Sequence, residues 1–183
     1  IEHLVHLGHQ HIAVVRGPSA YWSAHRRDRA VDRIASEAEA DGRTIELLGP
    51  APATFEGGRT AFIEVDRSGA TAVVAFNDLQ AAGILVAAQR AGRSVPESLS
   101  VVGSDGLALS AMTSPPLTSV AAPLDELGLT ARRRLGDLLA GRPAPLHTTL
   151  APQLVVSATS GPPVPVRRRT VVHLGRTDLA HQP

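Results

Sequence analysis

The sequence predicts an α/β fold: an open, mostly parallel sheet with helices on both faces. Apolar, β-branched runs alternate along the chain with segments whose apolar residues recur at helical spacing. The strand-like runs are apolar nearly throughout, as required when both faces of a sheet are covered. Glycines at 8, 42, 92 and 141 stand where the helical segments are expected to stop.

Taken in order, Ile1, Leu4 and Val5 share one helical face ahead of Gly8. The chain opens on Ile1 with no Met, no signal peptide and no capping residue, so it reads as a fragment that begins inside a helix. His11–Val15 is a first strand. Beyond the loop at Gly17-Pro18, a helix runs from about Arg26 to Ala40, with Ala30, Val31, Ile34, Ala35 and Ala38 on one face. Thr44–Leu48 is a second strand, and a loop over 49–53 leads to a helix near Phe55–Arg67. Thr71–Phe76 is a third strand, running directly into Asn77-Asp78 and a helix that ends at Gly92. Ser100–Val102 is a fourth, closed by a polar turn, Gly103-Ser104-Asp105-Gly106. Thr118–Ala121 is short and extended, Leu124–Ala140 is helical, and Leu150–Ser157 returns as a strand. From Gly161 the composition shifts to Pro, Val and Arg. Residues 161–183, with Arg167-Arg168-Arg169, read as a solvated, flexible tail.

The totals narrow the function. A chain of 183 residues, 43% hydrophobic and 19% charged, has the balance of a soluble globular protein. A net charge of +1 makes no electrostatic case for a nucleic-acid surface. All 18 basic residues are Arg, scattered along the chain. The absence of cysteine excludes disulfides and thiolate metal sites and leaves the compartment open. No apolar run is long enough for a membrane helix. His3, His6, His9 and His11 straddle a helix, a turn and a strand with no carboxylate to complete a set, so neither metal nor cofactor is expected. Neither a G-x-S-x-G elbow nor a phosphate loop is present, which argues against an enzyme.

In open parallel sheets, ligands bind outside the carboxyl ends of the strands. Three strand ends here deliver polar groups: the Gly17–Arg27 loop, Asn77-Asp78, and Ser104-Asp105. Such a set suits a polyhydroxyl ligand. Asp105 accepts from hydroxyls, Asn77 both donates and accepts, and Arg27 offers a rigid fork of donors. Tyr21 and Trp22 are candidates to stack on a sugar face. Asp78 is expected to cap its helix.

Three motifs carry a resemblance: HLVHLGHQHIAVVRGP (His3–Pro18), AVVAFNDLQAAG (Ala72–Gly83) and VPESLSVVGSDGLALSAMTSPPLTSV (Val95–Val120). In order and spacing they resemble the effector-binding core of LacI/GalR-type bacterial transcriptional regulators, over residues 1–160. The resemblance implies a periplasmic-binding-protein-like fold, mainly its C-terminal subdomain, with about 123–145 crossing toward an N-terminal subdomain absent from this chain. It implies effector contacts at Arg27, Ser23, Asn77 and Asp105. Ser104 stands where the family usually has an aromatic residue, and Gly106 where it often has Asp. The resemblance further implies a cytoplasmic protein that reaches DNA only through a module outside this chain.

The helix from Asp78 to Ala91 is apolar nearly all round, so one face covers the sheet and the rest needs a partner. A two-fold homodimer is the simplest closed solution. The family's dimer contact matches Ala82, Leu85, Val86, Leu109 and Met112. Two competing functions share this architecture: a sugar-binding protein of the periplasmic type, which the VPESLSVVGSD and PPLTSV wording disfavours, and a small-substrate α/β enzyme.

Overall fold

The structure is a computed structural model that describes residues 1–164. The arginine run at 167–169, and most of the expected tail, lie outside the described residues. One six-stranded sheet organises the chain, in the order β2-β1-β3-β4-β5-β6. Its strands are β1 (His11–Val15), β2 (Thr44–Leu48), β3 (Ala72–Val74), β4 (Ser100–Asp105), β5 (Thr118–Ala121) and β6 (Gln153–Val155). β1 to β5 run parallel, and β6 pairs antiparallel with β5.

Alternation along each strand sends side chains to two cores. Ala13, Val15, Val73, Ala75 and Val101 face α3 (Phe55–Ser68) and α4 (Asp78–Arg90), meeting Phe62, Val65, Ile84 and Ala88. Ile12, Val14, Ala72 and Val102 point to the other face, where α1 (Glu2–His6) brings Leu4 and α2 (Trp22–Ala40) brings Val31 and Ala38. The helix pair on the first face packs backbone against backbone. A Cβ on Gly58 would lie 1.9 Å from the Gln80 carbonyl oxygen, and one on Gly83 would lie 2.0 Å from that of Phe55. Only glycine permits that approach.

Four boundaries differ from the sequence expectation. α2 begins at Trp22 instead of Arg26, although no side chain caps it. Burial of Ala24 holds the extra turn down, a tertiary effect that cap-reading does not detect. β3 is shorter than Thr71–Phe76. β4 is longer, because Gly103, Ser104 and Asp105 pair in register with Ser119, Val120 and Ala121; the polar stretch expected as a turn belongs to the strand. β6 occupies only the middle of the Leu150–Ser157 segment.

The chain after β6 is pinned to the body. Thr159 is fully buried, donating through its hydroxyl to the Val101 carbonyl and accepting from the Thr118 N–H. Ser160 bonds the His3 ring at 3.0 Å. The Gly161 carbonyl accepts from buried His9 at 2.9 Å and from the Ser100 hydroxyl at 3.0 Å. Packing against the body therefore continues as far as Gly161, where the composition shifts. α5 (Leu124–Leu139) is the opposite case: none of its residues is buried, and Leu124, Leu127, Leu135, Leu138 and Leu139 stand exposed. Among the described residues no helix is long and apolar enough to cross a membrane.

Candidate functional site

The carboxyl ends of β1, β3 and β4 open onto a cleft of about 240 Å³. Val14, Val74 and Val120 form its apolar floor, and Arg16, Arg27, Asp28, Phe76 and Ser104 bring its polar and aromatic groups. Phe76 anchors one side. A Cβ on Gly17 would come within 2.4 Å of the Phe76 ring, so glycine at the end of β1 is what lets the ring lie there. Tyr21 adds a tilted contact, its ring centroid 6.3 Å from that of Phe76. Arg27 rises from the second turn of α2, lays its guanidinium carbon 4.6 Å from the Phe76 centroid, and donates to the Phe76 carbonyl oxygen.

Asp105 ends β4 with a φ of 111°, the one non-glycine residue with positive φ among the described residues. Partial burial raises its pKa above the ordinary carboxylate value. The Arg27 charge acts in the opposite direction, and the Asp78 charge adds to the rise. Asp105 stands beside the cleft without lining it, and the Arg27 guanidinium is engaged by Phe76 instead of by its carboxylate.

The other expected site residues are placed differently. Asn77 caps α4: its Oδ1 accepts from the Gln80 N–H at 2.8 Å, and its Nδ2 donates to the Ala53 carbonyl at 3.1 Å. One lone pair and one amide hydrogen remain for a ligand. Ser23, Tyr21 and Trp22 are exposed and do not line the cleft. Trp22 is 73% exposed, with the Arg26 guanidinium 5.1 Å from its ring centroid. Asp78 is not the cap the sequence suggested. It is fully buried and accepts three hydrogen bonds, from the Leu107 N–H and the Ser110 and Ser119 hydroxyls. Arg16, Asp28 and Phe76 are lining residues that sequence reasoning missed. For Arg16 and Phe76 the available signal was position, since each directly follows an apolar strand run.

A second concavity, about 370 Å³, lies against α4. Ala82, Leu85, Val86, Leu109 and Met112 all line it, beside Phe55 and Leu79. Ala82 and Leu85 are nevertheless covered within the chain, Leu85 being only 2% exposed, whereas Met112 is 80% exposed. No cluster of metal-ligating side chains occurs among the described residues.

A family profile for the periplasmic binding protein-like domain matches residues 1–160. The chain belongs to that family. Among its curated relatives is the HTH-type transcriptional regulator reg1 of Streptomyces lividans, 37% identical over 166 residues, which cover 87% of this chain and 48% of that protein. The chain thus spans about half the length of the curated relatives it matches. Solved members of the family superpose well. A LacI family transcriptional regulator from Arthrobacter sp. FB24, in complex with lactose, is 31% identical with a TM-score of 0.74, covering 87% of this chain and 61% of its own. A dimeric Lac repressor with a C-terminal deletion is 30% identical with a TM-score of 0.80, covering 89% of this chain and 60% of its own. In this chain, Arg27 lines the strand-end cleft and Met112 the α4 groove.

Proposed function

We propose that this chain is the effector-sensing and dimerisation part of a LacI-type transcriptional regulator, and that its effector is a saccharide or related polyol. The observation that carries this is the strand-end cleft lined by Arg27 and Ser104, with Asp105 next along the same strand, in a fold whose Arthrobacter relative is solved with lactose. Hydroxyls need donors and acceptors in fixed places, and both kinds of group are here. Asn77, through its free amide valences, and Ser23, Tyr21 and Trp22, at the start of α2, complete the proposed ligand set. In this proposal the protein acts in the cytoplasm as a homodimer through the α4 groove. DNA is read by a segment outside this chain, and residues 123–145 cross toward a further subdomain. Effector binding regulates by preferring one of two arrangements, and shifts their balance only by its differential affinity.

Calorimetric titration of the full-length protein with a panel of mono- and disaccharides that includes lactose and ribose tests this. At least one sugar is expected to bind, with Asp105→Ala and Arg27→Ala each weakening it about tenfold or more, as loss of a charge-assisted hydrogen bond should. Saccharide binding unaltered by both substitutions refutes the site.

A further inference from the structure

Asp105 owes its conformation to neighbours that do not line the cleft. A non-glycine residue at positive φ persists only where its surroundings over-determine it, and here Gly106 follows with a φ of 70°, so two successive residues depart from extended backbone. The two peptide N–H groups beyond Asp105 are both held by one buried network. Asp78 Oδ2 accepts from the Leu107 N–H at 2.7 Å and from the Ser110 hydroxyl at 2.8 Å. Asp78 Oδ1 accepts from the Ser119 hydroxyl at 2.6 Å, and Ser119 Oγ accepts from the Gly106 N–H at 3.2 Å. Gly103 leaves room for this: a Cβ there would stand 2.2 Å from Asp78 Oδ1. On the other side, the Asp105 carbonyl accepts from the Ala122 N–H at 3.2 Å.

We infer that Asp78 and Ser119 are the positioning residues of the effector site: they hold the Gly106 and Leu107 amides, and thereby fix the Asp105 carboxylate where the ligand needs it. A buried carboxylate is a costly device, tolerated when every lone pair is used. Asp78 spends its acceptors on the turn after β4, on the short 3₁₀ segment Ala108–Ala111 and on β5, rather than on its own helix. Its bond to Ser110 also ties that turn to the 3₁₀ segment. The functional half of this inference rests on the effector reading above; the backbone half does not.

Two isosteric deletions separate positioning from plain stability. Ser119→Ala and Ser110→Ala each remove one hydroxyl bond to Asp78, but only the first releases the Gly106 amide. In NMR spectra of the full chain, wild type and Ser110→Ala should share the Asp105 amide coupling of a positive-φ residue, while Ser119→Ala shifts it toward the extended value. Ser119→Thr restores it, the methyl entering the open space that Ser119 lines. With lactose as probe, Ser119→Ala is expected to bind about fivefold to tenfold more weakly than Ser110→Ala, the worth of one hydrogen bond. An Asp105 coupling identical in the two alanine variants overturns the inference. Should Ser119→Ala fail to fold, hydrogen exchange in the wild type decides: Gly106 and Leu107 amides exchanging as freely as in a peptide would overturn it, and protected amides support it. Lactose binding untouched by Asp105→Ala would fault the effector reading alone, and the coupling constant would still judge the positioning.

Discussion

The guanidinium of Arg27 lies over the Phe76 ring and donates to the carbonyl of the same residue. One side chain thus reads both the aromatic face and the backbone at the end of β3, which fixes the donor fork at the mouth of the cleft. Lysine keeps the charge but not the planar stacking or the second donor direction. Arg27→Lys is therefore expected to lose about 0.5–1 kcal/mol of the contact with Phe76, the usual worth of an exposed cation–π pair. Denaturant unfolding should show that small loss, and saccharide titration a larger one. Equal affinity for lysine and arginine would mean that charge alone matters at this position.

Asp105 gives a prediction with a definite sign. Its folded pKa lies above 3.8, chiefly because burial disfavours the ion, with Arg27 opposing and Asp78 reinforcing the shift. A raised carboxyl pKa means the folded state binds the proton more tightly than the unfolded chain does. Stability from this group is therefore fully present below pH 3.8 and is lost as pH rises to the folded pKa. Asp105→Asn, which also tolerates positive φ, should raise the melting temperature at neutral pH, with the gain fading as the pH falls toward 3.8. A gain that grows on acidification instead would contradict the shift. The same substitution should weaken effector binding, so stability and function oppose each other at this residue.

The α4 groove sets a different test. Leu85 is buried within the chain, so charging it would damage the core whether or not a dimer forms. Met112 is the suitable probe, being almost fully exposed while lining the same groove as half-buried Val86. Met112→Glu with Val86→Glu is expected to turn a dimer into a monomer at micromolar concentration in light scattering, with circular dichroism unchanged. A dimer that survives both charges places the interface elsewhere.

Asn77→Ala should cost about 1–2 kcal/mol of stability, the upper part of the usual N-cap range, because the amide also donates to the Ala53 carbonyl. Chemical denaturation measures it. Asn77→Asp keeps the acceptor to Gln80 and loses the donor to Ala53, so it should fall between wild type and alanine.

Much of this architecture was legible in the residues. Apolar strand runs located β1 and β2 to the residue, and α3 to within one, because a parallel sheet covered on both faces leaves a clear pattern. The strand-end rule pointed to Arg27, which lines the cleft, and to Asp105, which ends β4 without lining it. Interactions distant in sequence were not legible. Asp78 looked like a helix cap because it follows Asn at a helix start. Only the fold shows Ser110 and Ser119 arriving to satisfy it, at sequence separations of 32 and 41. Likewise Thr159 and Gly161 sit in a Pro- and Gly-containing stretch with no period, yet Val101 and Thr118 hold the first, and His9 and Ser100 the second. Local patterns report local preferences, and these partners meet only after the sheet has formed.

The excursion that carries α5 leaves the sheet at Ala121 and re-enters it at Gln153, and those two residues are register partners in adjacent antiparallel strands. Geometrically, β5 and β6 are already the arms of a hairpin whose connection happens to be very long. A two-residue turn such as Asn-Gly would join them without disturbing the ladder. Since no residue of α5 is buried, deleting the excursion removes no core, while shortening the loop lowers closure entropy by about 2 kcal/mol. The pruned chain should melt no lower than its parent and give a smaller, fully packed sheet. A drop in melting temperature would show that α5 stabilises the domain despite its exposure.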